Sequence, residues 1–256
     1  MDFFADPVRQ STAIRQRDHR PWPVPRKLWF MGQTWLDLLF AHWRLEPAAL
    51  RPHVPRPLKL DTFEGAAWIA VTPFMVSGLR LAPTPPVPYL STFPEINVRT
   101  YVILSGRPGI FFFSLDAASR FAVSSARWLY KLPYFDADMS ASRSAARVDY
   151  TSKRTDARGH PARFVARYGP VGPAHPAKPG SLEHFLTERY CLYTLGEDGE
   201  PLRAEIHHPP WPLQPAKADI AVNTMPPPEV ELPDEEPLLH FAARQDVLLW
   251  SLEDVR

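Results

Sequence analysis

Residues 93–102 read Phe-Pro-Glu-Ile-Asn-Val-Arg-Thr-Tyr-Val and hold the densest set of chemically useful side chains in the chain. A carboxylate carries protons, a guanidinium binds anionic oxygens, and an amide or phenol orients a bound carbonyl. Alternate residues of a strand point to opposite faces. Glu95, Asn97, Arg99 and Tyr101 therefore share one face, and Ile96, Val98, Thr100 and Val102 share the other. Glu95 is the candidate general acid/base, and Arg99 is the candidate anchor for an anionic oxygen. Asn97 and Tyr101 are candidate substrate contacts. Four strand residues separate Glu95 from Arg99, about 13 Å of Cα travel, so each is expected to meet its own partner. A buried polar network that fixes sheet register explains the same stripe and stays open beside the catalytic reading.

Further tyrosines, Tyr130 and Tyr134, are able to donate to a bound carbonyl, although a buried tyrosine is more often a core residue with a satisfied hydroxyl. Other constellations are weak. His207 and His208 are consecutive, so in a strand they face opposite ways and make poor joint metal ligands. Cys191, between Tyr190 and Leu192, reads as a small core residue. The sequence contains no His-Glu-x-x-His motif, phosphate loop, dinucleotide fingerprint or Gly-x-Ser-x-Gly elbow. No metal and no cofactor are expected.

The elements that must position the stripe are short strands. Proline is abundant, at 31 against 11 glycines, which disfavours long helices and central strands and favours many rigid connections. Gly106–Gly109, Asp156–Gly159 and Gly196–Gly199 each separate two strand-like runs, so three hairpins are expected. A fourth is expected near Arg244-Gln245-Asp246. A helix over 117–130 follows from the stripe Ala118, Phe121, Ala122, Ser125, Trp128 and Leu129, with Asp116 as N-cap and Pro133 as the stop. Shorter helices are expected at 47–53 and at 181–187, the latter capped by Ser181. Residues 1–26 are rich in Arg and Pro and read as an extended arm lying on the domain or as a partly disordered tail. Residues 225–237 read as an acidic, proline-rich, solvent-facing connection.

With 256 residues, 45% of them hydrophobic and 12% aromatic, the chain is able to bury a substantial core. A net charge of +1 gives no field that favours nucleic acid or an anionic membrane. The lone cysteine excludes an internal disulfide. No run of 18 apolar residues occurs and no signal core precedes the domain, so a cytoplasmic location is expected. The expected partner is a small molecule, with neither nucleic acid nor membrane; a homo-oligomer remains open.

The run Arg44–Asp61, with its Val54-Pro55-Arg56-Pro57-Leu58, resembles the entry segment of acetoacetate decarboxylase-like proteins. Together with Trp35–Trp43, Phe93–Tyr101, Phe113–Asp116 and Tyr130–Phe135, it resembles the uncharacterised YqjF-like family of that superfamily over roughly residues 30–252. The resemblance implies a mainly β fold with a few short helices. Its form would be an antiparallel, cone-like β-barrel with a central pocket, here a single domain over 27–256 behind the arm. Glu95 falls where the superfamily places a pocket glutamate. The decarboxylases act through a lysine that forms a Schiff base and is activated by a neighbouring lysine. Their motif is aromatic-Pro-Lys-Lys, and the matching stretch here is Leu132-Pro133-Tyr134-Phe135. A phenol forms no imine, so Schiff-base chemistry is not expected. Lys131 reads as a solvated cation at a helix end. Two readings follow. One is an enzyme acting on a small oxygenated or anionic compound through Glu95, Asn97, Arg99, Tyr101 and Tyr134. The other is a non-catalytic ligand-binding or sensor protein on the same barrel.

Overall fold

A computed structural model describes residues 5–87 and 90–255. Helix α1 (Ala5–Ala13) precedes β1 (Met31–Leu45) and α2 (Pro47–Leu50), which continues as a 3-10 turn at Arg51–His53. Next come β2 (Lys59–Leu60), β3 (Ala67–Leu81), β4 (Phe93–Leu104), β5 (Arg107–Ala117), α3 (Arg120–Tyr130) and β6 (Tyr134–Ser144). They are followed by β7 (Arg147–Arg154), β8 (Arg163–Pro170), α4 (Leu182–Thr187), β9 (Cys191–Leu195) and β10 (Pro201–His207). The last strands are β11 (Gln214–Asn223), β12 (Leu238–Leu249) and β13 (Glu253–Asp254).

These strands form one sheet that closes on itself. In ring order β5, β9, β10, β12, β1, β3 and β4 pair with their neighbours, and β4 pairs back to β5. β6, β7, β8 and β11 make a flap hung from β5 at one end and β12 at the other. This is the cone-like barrel that the sequence implies, with one refinement. β5 pairs in parallel with β6 and with β9, while the other pairings are antiparallel. The β5–β6 pair is parallel because α3 carries the chain back across, the kind of crossover such a pair requires.

Three strands of the ring are buried on both faces. Leu38, Phe40, Phe74, Val76 and Tyr101 point into the ring. Leu39, Ile69, Val71, Ile96 and Val98 point outward but are covered by Tyr150, Phe164 and Tyr168 of the flap. Each fully buried side chain of this size contributes roughly 1.5–3 kcal/mol, which is why the ring and its flap hold together. An extra residue in β1 relative to β3 creates a bulge between Leu36 and Ala41. Asp37 absorbs it at φ 53, a conformation that Asp tolerates better than most residues.

The hairpins at 156–159 and 196–199 form as expected, and the one expected over Gly106–Gly109 turns earlier, at Ser105-Gly106, with Arg107–Gly109 already paired in β5. α2 with its 3-10 turn and α4 capped by Ser181 also match. Several expectations are corrected. No hairpin forms at Arg244-Gln245-Asp246, where β12 runs straight through. Of the polar residues that suggested a turn, Arg244 and Asp246 share a face, with Arg244 bonded to Asp246 at 2.8 Å and to Asp6 of α1 at 2.9 Å, while Gln245 on the other face donates to the Pro209 carbonyl. The strand-like run expected before the Asp156–Gly159 turn, residues 143–154, is not one strand, because a hairpin at Ala145-Ala146 divides it with Ala145 at φ 53. The start of the expected extended arm is helical, and α1 packs against β12, β1 and β3. The 225–237 connection is not wholly solvent-facing, since Met225 and Val230 plug the outer core.

Helix α3 begins at Arg120, not 117, and its N-cap is Ser119, whose Oγ accepts from the Ala122 N–H. Asp116 is unavailable as a cap because Arg154 takes both its oxygens, at 2.7 and 2.9 Å. Phe121 and Trp128, expected on the packed stripe, are 60% and 79% exposed.

α1 fits because two glycines leave room for it. At Gly78 (φ +59) an added Cβ would lie 2.9 Å from the Asp6 Cβ, and at Gly32 it would lie 2.6 Å from Gln10 Oε1. Gly78→Ala is expected to cost about 2–4 kcal/mol, the sum of left-handed strain and overpacking. Gly65→Ala has similar strain (φ +78) but open space around it, and is expected to cost about 1 kcal/mol. Urea unfolding of both variants checks this; equal losses would mean that α1 exerts no pressure at Gly78.

Candidate functional site

Inside the ring lies a cavity of ≈ 130 Å³. One wall is β4, whose inward parity delivers Glu95, Asn97 and Arg99, each 5% exposed. α3 lies over the mouth with Phe121, Ala122, Ser125 and Leu129. The polar face of β4 is therefore a pocket wall. Its other face packs on the flap, and a bond of 2.7 Å from the Tyr150 hydroxyl to the Glu95 backbone carbonyl pins the strand there.

Tyr134 opens β6 directly beside β5 and donates its hydroxyl to Glu95 Oε2 at 3.0 Å. Burial pushes the Glu95 carboxyl up from 4.5 to about 8; the Tyr134 bond opposes this shift, and the charge of Asp116 adds to it. Glu95 is thus a neutral acid at pH 7. The Tyr134 hydroxyl is raised well above its ordinary value by burial and by Glu95, so it remains a donor. Tyr130 also lines the cavity; burial raises it, and its hydroxyl has no hydrogen-bond partner among the described residues.

Arg99 sits farther along the wall. Its guanidinium carbon lies 5.0 Å from the centre of the Phe40 ring. Among the described residues no carboxylate pairs with it, and its Nε has no partner. Its charge acts on His42 and Tyr101, whereas the carboxylate acting on Glu95 is that of Asp116. Glu95 and Arg99 are separate contacts, as the spacing predicts. Asn97, between them, leaves its Oδ1 unpartnered.

Tyr101 keeps the parity but lies beyond the cavity. Its hydroxyl is 2.6 Å from His42 Nε2, and it is wholly buried in the inner core. Of the five residues singled out in the sequence, four line the cavity and Tyr101 braces the wall next to Arg99. Lys131 is outside. It caps α3 in the left-handed conformation, and its Nζ bonds Glu197 at 2.9 Å on the surface. None of the residues lining the cavity is a lysine. Cys191 is buried, with its thiol pushed up to about 12 by burial. His207 and His208 go to different partners, the carbonyls of Ala13 and Arg189.

Sequence reasoning missed Gln33 and Trp35, which approach from β1 and bond each other at 2.7 Å, and Phe112, which faces inward while Phe111 and Phe113 face away. Parity along β1 and β5 was the available signal. It became readable only once the ring fixed which face was inside.

The model for the family DUF2071, an uncharacterized conserved protein, matches residues 32–246. The uncharacterized protein YqjF of Bacillus subtilis (strain 168) is 47% identical over 230 residues, spanning 90% of this chain and 94% of that one. Among solved structures, the enduracididine biosynthesis enzyme MppR complexed with pyruvate aligns with a TM-score of 0.60 at 13% identity over 93% of each chain. Acetoacetate decarboxylase from Legionella pneumophila aligns at 0.58 and 12% identity, over 95% of this chain and 96% of that one. An acetoacetate decarboxylase-like enzyme from Sphingomonas wittichii RW1 aligns at 0.59 and 14%, over 94% and 99%. At such identities the likeness is one of fold.

A carboxyl raised from 4.5 to about 8 binds its proton more tightly in the folded state than in the unfolded one. Folding stability is then fully present below the unfolded value and is lost as pH climbs toward the folded one, by at most about 1.4 kcal/mol per pH unit. Glu95→Gln removes that titration. The melting temperature of the variant is expected to gain on wild type steadily between pH 5 and pH 8; parallel curves would mean that Glu95 is not held neutral.

Proposed function

This chain belongs to the DUF2071 family and has the acetoacetate decarboxylase-like fold, and from that premise we propose that it is a small-molecule enzyme moving protons through Glu95 without an imine. The observation that carries the reading is the buried Glu95 carboxyl on the cavity wall, bonded to Tyr134 and held near pH 8. A group poised close to working pH serves as both acid and base. The substrate class is a small oxygenated anion. Arg99 anchors its charge, Asn97 orients its polar atoms, and Tyr134 fixes the Glu95 carboxyl. Tyr101, through its bond to His42, holds the strand beneath Arg99.

On a carbonyl compound the proton moves from carbon to Glu95 and back. The ionised fraction of Glu95 takes a proton from the carbon beside the carbonyl, and the C–H electron pair moves to form an enolate. Tyr130 lines the cavity, its buried hydroxyl has no partner among the described residues, and that hydroxyl is the donor for the enolate oxygen. Glu95 then returns a proton to carbon. Oxo acids are the class to test first, since one structural neighbour carries pyruvate.

In D₂O with a panel of oxo acids, proton NMR at catalytic protein levels is expected to show exchange beside the carbonyl. The rate should climb with pH to a plateau above about 8. Glu95→Gln is expected to slow it by about 10²–10⁴-fold. Failure of every oxo acid to exchange, or an unaffected variant, would leave the second reading, a non-catalytic binding protein. That alternative is favoured by Tyr134 and Phe135 standing where the decarboxylases carry lysines. Borohydride added with an oxo acid is expected to leave the protein mass unchanged; an adduct at Lys131 would restore imine chemistry.

A further inference from the structure

Among the described residues lining the cavity Arg99 is the one cation, and it has the Tyr101 hydroxyl beside it but no carboxylate. A guanidinium that is 5% exposed, with no carboxylate partner among the described residues and an unsatisfied Nε, is costly to the folded protein. Glu95 does not neutralise it, being protonated at pH 7 and under the influence of Asp116 instead. A ligand carboxylate would supply the countercharge that the described residues do not. A second ligand carboxylate would find no cation among the residues lining the cavity.

The position of Arg99 sets where that charge goes. Its guanidinium lies over Phe40 and acts on His42 and Tyr101, at the end of the wall away from Glu95. A second, much smaller space of ≈ 10 Å³ opens on its far side, bounded by Thr187, Arg189, His208 and Trp211, and the buried Trp211 Nε1 has no partner there. That volume holds about one water-sized atom. It suits one carboxylate oxygen, with the guanidinium gripping the other. Glu95 and Arg99 are four strand residues apart, about 13 Å along the backbone. Apart from Asn97 on β4, the walls between are apolar, formed by Phe74, Ile110, Phe112, Leu115 and Leu192.

We propose that the ligand is a monocarboxylate whose reacting carbonyl stands several carbons away from the acid group, with an apolar spacer between them. Its carboxylate seats at Arg99 and Trp211, its spacer crosses the apolar middle of the cavity, and its carbonyl meets Glu95 and Tyr130. The assignment of the carbonyl end rests on the proton-transfer reading of Glu95; the assignment of the carboxylate end does not.

Calorimetry with 2-oxopropanoate, 3-oxobutanoate, 4-oxopentanoate, 5-oxohexanoate and 6-oxoheptanoate tests the spacing. Affinity is expected to peak among the last three, at least tenfold above 2-oxopropanoate. The methyl ester of the best binder is expected to lose at least tenfold against wild type, and Arg99→Gln is expected to erase the difference between acid and ester. The wild-type ester comparison stands alone if the variant fails to fold. Tightest binding of 2-oxopropanoate, a flat series, or an ester that binds as well as its acid would each overturn the proposal. A peaked series without deuterium exchange keeps the spacing and removes the catalytic reading. A flat series with exchange does the reverse.

Discussion

β4 has no face turned to water. Ile96 and Val98 are held against Tyr150, Phe164 and Tyr168 of the flap, and a slip of one residue would exchange them for Glu95, Asn97 and Arg99. Register is therefore enforced by the cost of putting a carboxyl, an amide and a guanidinium into the apolar layer between ring and flap. The same constraint leaves those three groups only the interior of the ring. The Glu95 carbonyl bonded to Tyr150 ties the two layers at the point where this matters most. The site is a by-product of how the outer face packs, and its rigidity is that of the core.

The buried Asp116–Arg154 pair is the second fixed point. Both side chains are almost wholly enclosed, and the bidentate geometry satisfies both oxygens, which is the arrangement that makes a buried ion pair tolerable. The pair ties the end of β5 to the end of β7, and so hangs the flap on the ring. Because Asp116 is committed there, α3 starts later and takes Ser119 as its cap. The helix so placed leaves Trp128 exposed and sets Phe121, Ala122, Ser125 and Leu129 over the cavity. The mouth of the cavity thus depends on a contact made far from it in sequence.

The local signals in the sequence were sufficient for the hairpins with glycine turns, for the caps at Ser181 and for the parity of 95–101. They failed where a partner distant in sequence decided the outcome. Asp116 looked like a cap because Arg154, 38 residues away, is invisible locally. Arg244-Gln245-Asp246 looked like a turn because its partner Asp6 lies at the other end of the chain. The turn at Ala145-Ala146 carries neither Gly nor Pro and gave no mark. Tyr101 shares the parity of the site but is claimed by His42, 59 residues upstream. Parity assigned the face correctly; depth along the wall was not encoded in it.

The absence of lysine from the cavity changes more than the nucleophile. A cation beside Glu95 would favour its ionised form and hold the carboxyl low. Tyr134 stands there instead, and a phenol offers a hydrogen bond without charge. The only cavity cation, Arg99, is at the far end of the wall, so burial prevails and the carboxyl stays protonated. An aromatic residue at 134 therefore leaves the Glu95 carboxyl hydrogen-bonded and neutral instead of paired with a cation. It also leaves Arg99 as the only lining group with a net charge at neutral pH, so the field inside the ring has one positive end and one neutral, proton-bearing end.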